Sequence, residues 1–341
     1  MTRPRSDALD GLRALAALSV LAFHAWLYRP GAPPGPREAL GDHVLFELCR
    51  GLVLFFVLSG YLLYRPIADW RRFALRRVAR LVPAYYACIV VCVLVFGAPD
   101  GLPLFAVLAQ NYSAGTVMQL NPVTWTLCVE AAFYLLLPLL ALRVRAAVPI
   151  ALIGVTLVWS QLAGGFLASK MLPAWIGHFA LGMLVAVWAG RGRELGARAT
   201  GGLVAAGSAL VVLDGFWHET AAPDSFVRAG LAGLPAAAGF ALIVAAAVAG
   251  RGPAVAWLRA RALVAVGAVS YGVYLWHVPL LLAAREAGLL PGSWGARFAL
   301  IAPLALALGA LSWRLIERPS IRWAASWRGR EPAAAPRSTT A

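Results

Sequence analysis

The sequence predicts an all-α fold: a polytopic transmembrane bundle of about ten helices with both termini in the cytoplasm. Composition is the first reason. Of 341 residues 61% are hydrophobic and 13% charged, with a mean hydropathy of +0.75, and a soluble domain of this size could not bury so much apolar surface. The second reason is length, because apolar runs recur near the ~20 residues that a helix needs to cross a hydrocarbon core of ~30 Å. The third is charge: arginine-rich and arginine-poor connections alternate along the chain, as the retention of basic loops in the cytoplasm requires.

The runs, each bounded by charge or by Pro and Gly, cover approximately residues 12–29, 46–65, 81–98, 122–142, 146–166, 171–190, 199–215, 228–250, 262–284 and 297–314. The first, second and seventh have the shortest uncharged centres. Residues 102–109 are apolar but too short to cross, so they read as a re-entrant or interfacial piece ahead of Gln110, Asn111 and Tyr112. Arg3, Arg5 and Arg13 precede or open the first run, but Asp7 and Asp10 interrupt this stretch and no small-residue cleavage site follows Tyr28, which speaks against a signal peptide. Residues 1–325 form one transmembrane domain on this reading, and 326–341 a disordered cytoplasmic tail.

The net charge is +15, which in a soluble chain would suggest nucleic acid. Here the bases sit between apolar runs. With the N-terminus inside, 23 of the 30 basic residues fall in cytoplasmic segments, six of them arginines in 65–80; an odd number of helices would scramble that division. Cys49, Cys88, Cys92 and Cys128 lie in or beside apolar stretches without CxxC spacing, against a zinc site or a disulfide framework.

Ionisable groups in hydrocarbon cost several kcal/mol and call for a partner, a water-filled cavity or a function. The sequence places Arg13 at the inner mouth of helix 1, His24 within that helix, Glu130 in helix 4, His178 in helix 6 and His277 in helix 9. Arg13 and His24 are 11 residues apart, within about 20° of three whole turns, so they share a face with His24 about 16 Å deeper. Glu130 reaches roughly the same depth from the other side. A carboxylate level with a buried imidazole could fix its tautomer and support its protonated form, as general-base catalysis requires. Ser270, Tyr274 and His277 form a polar stripe on one face of helix 9, which reads either as a hydrogen-bonded seam or as part of a site. Ser59 reads as a packing residue, His178 as structural, and His43 and His218 as solvated. The arginines of 65–80 admit two readings: retention by anionic headgroups, or a phosphate clamp at the cytoplasmic mouth.

Several stretches together resemble the membrane-bound acyltransferase 3 family, bacterial polytopic O-acyltransferases of sugars, cell-envelope glycans and some antibiotics. They are Leu9-Asp10-Gly11-Leu12-Arg13-Ala14 running to His24, Phe55-Phe56-Val57-Leu58-Ser59-Gly60-Tyr61, Arg77-Val78-Ala79-Arg80-Leu81-Val82-Pro83, Trp125-Thr126-Leu127-Cys128-Val129-Glu130 with Phe133, Tyr134 and Pro138, Ser270-Tyr271-Gly272-Val273-Tyr274-Leu275-Trp276-His277, and Glu317-Arg318-Pro319. The resemblance implies that Arg13 and His24 are essential, that Arg77 and Arg80 serve an acyl-CoA donor, and that Glu130 is a further polar member of the site.

On these grounds the expected activity is acyl transfer, acetyl first among the candidates, from cytoplasmic acyl-CoA to a hydroxyl of a sugar, a cell-envelope glycan or a small molecule such as a macrolide. His24, Glu130 and Arg13 would carry the chemistry, and Arg77, Arg80 and Arg13 would bind the donor. Trp125, Ser270, Tyr274 and His277 are the candidates for an acceptor or second site. No metal and no resident cofactor are expected, acyl-CoA being a co-substrate, and the partners are the donor, a hydroxylated acceptor and the lipid bilayer of a bacterial cytoplasmic membrane, with no nucleic acid. The alternative is a proton-coupled transporter in which His24 and Glu130 titrate during substrate passage; no pair of Gly/Pro-broken helices at matching positions in two halves supports it.

Overall fold

The computed structural model describes residues 6–30, 40–220 and 233–327. Eight of its helical segments are long and apolar enough to cross a membrane, and Ala147–Leu162 and Leu234–Ala249 are shorter apolar helices. Together these ten match the ten runs of the sequence in order. No strand occurs among the described residues. The tail 328–341 and His218's side chain lie outside what is described.

Helix α1 (Asp7–Leu27) is central. It packs against α3 (Gly51–Leu63), α12 (Arg261–Glu286) and α13 (Trp294–Ser312). The second run is not one helix: α2 (Leu40–Glu47) and α3 are separated by a 3-10 turn at Leu48–Arg50. The break falls where Arg50 turns inward to pair with Glu47 at 2.7 Å and with Asp214 at 2.9 Å.

Helix α4 (Trp70–Phe96) starts eleven residues before the apolar run because Asp69 caps it, accepting from the Arg72 N–H at 3.0 Å. The arginines of 70–80 are therefore the first turns of a spanning helix and not a loop. This holds Arg77 and Arg80 at a fixed pitch beside the bundle. Residues 102–109 form α5 (Leu102–Ala106) and then a turn through Leu108 at φ +53°. The Tyr85 hydroxyl donates to the Phe105 carbonyl at 2.9 Å and the Gln110 amide to Thr124 Oγ1 at 3.1 Å, so this piece folds back onto the bundle.

Helix α6 (Trp125–Leu140) is followed by α7 (Ala147–Leu162), α8 (Leu172–Ala189), α9 (Ala197–Thr220), α10 (Leu234–Ala249) and the short α11 (Pro253–Ala256). One apolar core joins α1, α3, α8 and α10; a second joins α3, α6 and α8 through Phe56, Phe133, Phe179 and Met183. Close approach replaces bulk between α12 and α13, where a Cβ on Gly272 would stand 2.7 Å from the Gly309 Cα. After α13 the chain widens into a π-turn, Trp313–Glu317, and ends in α14 (Arg318–Ser326) packed on α4. Such turns often mark functional sites, and this one buries Glu317 against Ser312 at 3.1 Å.

The basic connections gather at one end. Ser6, Arg193, Arg251 and Arg259 line one cavity there, and the Tyr64 hydroxyl at the end of α3 donates to the Arg145 carbonyl at 3.0 Å.

Candidate active site

Between α1, α3, α4, α6 and α12 lies a cavity of about 290 Å³. Arg65, Arg77 and Arg80 line it together with Arg13, Ser59, Glu130 and Tyr134, and Leu52, Phe55, Thr126 and Tyr274 are also in its wall. Charged wall and apolar wall therefore belong to one space, a shape suited to an anionic head with a less polar arm.

Arg13, Glu130 and Arg77 each touch a side-chain neighbour. Arg13 donates through Nη2 and Nε to Ser270 Oγ on α12, at 3.1 and 3.3 Å. Glu130 accepts from Ser59 Oγ at 3.2 Å and from the Tyr134 hydroxyl one turn on. The Arg77 guanidinium lies over the rings of Phe73 and Tyr134 at 5.8 and 5.9 Å. Its Nε is buried and has no hydrogen-bond partner. A buried donor of this kind costs free energy unless something binds it, and a cationic donor at the mouth of a cavity favours an anion.

His24 does not line this cavity. Its Nδ1 stands 2.9 Å from the Val20 carbonyl and 3.1 Å from His277 Nε2, with the two rings 4.9 Å apart. Val20 packs with Val123, Tyr274 and Val278, and Leu52 and Phe55 from the cavity wall pack on that cluster. Tyr274 thus belongs both to the cavity wall and to the layer packed against the histidine pair. It is the polar member of that layer, hydrogen-bonded to Thr126 Oγ1 at 2.8 Å and 5.8 Å ring to ring from His277.

The two stripes read from the sequence therefore close on each other. Arg13 meets Ser270 near one end of the α1–α12 contact and His24 meets His277 further along. The expected meeting of Glu130 with His24 does not occur: the Glu130 carboxylate accepts from Ser59 and Tyr134 and shares a cavity with Arg65, Arg77 and Arg80. Ser59 holds that carboxylate and is more than a packing residue. Trp125 stands away from the cavity, beneath the Lys170 ammonium at 4.3 Å and beside Trp175 at 5.4 Å. His178 is fully buried against Trp175. None of the four cysteines is in a disulfide, and no group of three or more His, Cys, Asp or Glu is placed to hold a metal among the described residues.

Two charged groups escaped the sequence reading: the Arg50–Glu47–Asp214 cluster and Arg297, which is 2% exposed. Asp214 inside an apolar run was the available signal for the first. Arg297 at the very start of its run gave none, because a terminal arginine is expected to reach for the interface.

Fold and cavity define an integral, multi-pass membrane protein with an arginine-mouthed internal site. The chain belongs to the acyltransferase 3 family: the family model, described as an acyltransferase domain, matches residues 6–314. Nodulation protein 10 of Rhizobium leguminosarum bv. viciae is 27% identical over 92% of this chain and 92% of its own length. Acyltransferase MdmB of Streptomyces mycarofaciens is 26% identical over 93% of this chain and 92% of its own. Peptidoglycan O-acetyltransferase OatA of Listeria monocytogenes is 30% identical over 40% of this chain, which spans only 24% of that protein. No solved structure matches.

Proposed function

We propose that this acyltransferase moves an acyl group, acetyl in the first instance, from cytoplasmic acyl-CoA to a hydroxyl of a sugar, a cell-envelope glycan or a hydroxylated small molecule. The observation that carries the reading is the buried, partnerless Arg77 Nε at a cavity mouth shared with Arg65 and Arg80. A donor with several phosphates satisfies it, and its uncharged arm fits the apolar wall that leads to Tyr274. The names of the Listeria and Streptomyces relatives support acyl transfer in general; donor and acceptor rest on the site.

In this mechanism Arg65, Arg77, Arg80 and Arg13 hold the phosphates and the head of the arm. Glu130, tied to Ser59 and Tyr134, keeps Arg77 oriented and balances its charge. The thioester carbonyl comes to the Tyr274 layer, and His24 takes the proton from the acceptor hydroxyl as its oxygen attacks that carbon; the thiolate leaves and is protonated. The arginine division of the loops supports a cytoplasmic position for this end of the cavity and for both termini, on the side of a bacterial membrane where acyl-CoA is found.

The test follows thiol release from acetyl-CoA and propionyl-CoA by protein in nanodiscs, with hydroxyl acceptors added in turn. His24→Ala should lower turnover by at least about a hundredfold, the lower range of general-base contributions, with the protein still inserted and folded. Near-normal turnover would sink the assignment. Arg77→Ala with Arg80→Ala should raise the donor KM; an unchanged KM removes the clamp. If wild-type protein neither binds the donor nor releases thiol, the acyl-CoA reading is wrong.

A further inference from the structure

The contact between the two buried histidines has a direction. Carbonyl oxygens only accept, so the ring nitrogen facing one carries the proton. His277 Nδ1 faces the Val273 carbonyl at 3.2 Å, which places its proton on Nδ1 and leaves Nε2 a bare acceptor. That Nε2 stands 3.1 Å from His24 Nδ1, which itself faces the Val20 carbonyl at 2.9 Å. One arrangement satisfies all three contacts with both rings neutral. His24 holds its proton on Nδ1, shared between Val20 and His277, and its Nε2 lone pair is free.

We propose that His277 is the positioning residue of the acyl transfer: it fixes His24 in the Nδ1–H tautomer and takes part of that proton when His24 becomes charged. This rests on the reading of His24 as the base. The proton balance closes within the pair. The acceptor hydroxyl gives its proton to His24 Nε2, the Nδ1 proton moves toward His277 Nε2, and both shifts reverse when the leaving thiolate is protonated. An aspartate would do the same for an exposed imidazole, but a second neutral imidazole brings no further charge into an apolar helix contact. The other polar groups facing the pair are the Tyr28 and Tyr274 rings, 6.1 Å from His24 and 5.8 Å from His277, with the Arg285 guanidinium over Tyr28 at 5.7 Å. Among these three groups no carboxylate occurs, so Glu130 does not fill this role.

Two measurements test it. The first is the ¹⁵N spectrum of histidine-labelled protein in nanodiscs above pH 7, where the five histidines of the chain are few enough to assign by single variants. Bare Nε2 and protonated Nδ1 on both His24 and His277 are expected; a proton on His24 Nε2 overturns the proposal, whether or not the protein transfers acyl groups. The second is kinetic. His277→Phe should lower kcat roughly tenfold to a hundredfold, by analogy with the outer-shell partners of metal-ligating imidazoles, with the donor KM unchanged. His277→Gln, which sets an amide oxygen near the former Nε2, should restore most of kcat. If His277→Phe keeps the kcat of the wild type, or Gln and Phe lose it equally, His277 is only helix glue. If His277→Phe does not fold, the Gln variant and the spectrum decide.

Discussion

Arginines at the two ends of this bundle are treated in opposite ways. Arg297 is buried and held by carbonyls: Nε donates to that of Ala25 at 2.6 Å, and Nη1 to those of Pro291 and Gly292 at 2.9 and 2.5 Å. Arg50 has Glu47 on one side and Asp214 on the other. At the cavity mouth Arg77 keeps an Nε without a partner. The first two arginines close the structure, whereas the third leaves a donor to be closed by something else. Contact with oxygens of the chain itself, carboxylates at Arg50 and carbonyls at Arg297, rather than residue type or burial, separates a fastening charge from a binding one.

The largest effect should come from breaking a fastening charge. Arg50→Leu leaves the Asp214 carboxylate, 1% exposed, without its cation, and an orphaned buried charge costs about 3–5 kcal/mol. The expected result is a large fall in the thermal midpoint in detergent, most of it recovered when Asp214→Leu is added. If the double variant is no more stable than the single one, the pair is not what holds α9 to the α2–α3 turn.

Arg77→Ala should behave in reverse. A charge-assisted hydrogen bond to a phosphate contributes about 1.5–3 kcal/mol, so donor affinity should fall tenfold or more. The thermal midpoint without donor should hold or rise, since an unsatisfied buried donor has been removed. A fall as large as that of Arg50→Leu would make Arg77 a fastening charge too and erase the contrast.

Much of this was legible in the sequence, in physical terms. Run length and arginine spacing gave the ten helices, because membrane thickness and headgroup charge act on one coordinate, the depth. Depth also brought Arg13, His24 and Glu130 into one zone. Rotation about each helix axis is what the sequence left free. His24 and Glu130 lie at similar depth, yet α12 supplies the partner of His24, and α3 and the next turn of its own helix supply those of Glu130. The stripe Ser270, Tyr274, His277 held the answer, but nothing in one sequence says which helix a stripe faces. The capped start of α4 was readable in principle at Asp69, where the charge of the following residues hid a helix behind the appearance of a loop.

The smallest effect sharpens the comparison from the surface. Arg251 and Glu194 form an ion pair at 2.6 Å, as short as the contact of Arg297 with Ala25, but their side chains are 73% and 72% exposed. Water screens such a pair, so Arg251→Ala should change stability by no more than about 0.5 kcal/mol. The backbone beneath already ties this turn: the Leu195 N–H donates to the Ala249 carbonyl at 2.9 Å, and the Arg251 N–H to Thr200 Oγ1 at 3.2 Å. Thr200 is fully buried, so Thr200→Val, which strands that N–H, should cost more than the loss of the whole Arg251 side chain, about 1–3 kcal/mol. Thermal unfolding of the two variants at low and high salt decides: if Arg251→Ala is the more destabilising and its effect survives high salt, the pair is a fastening charge in spite of its exposure, and contact with a carboxylate alone would then be enough to make one.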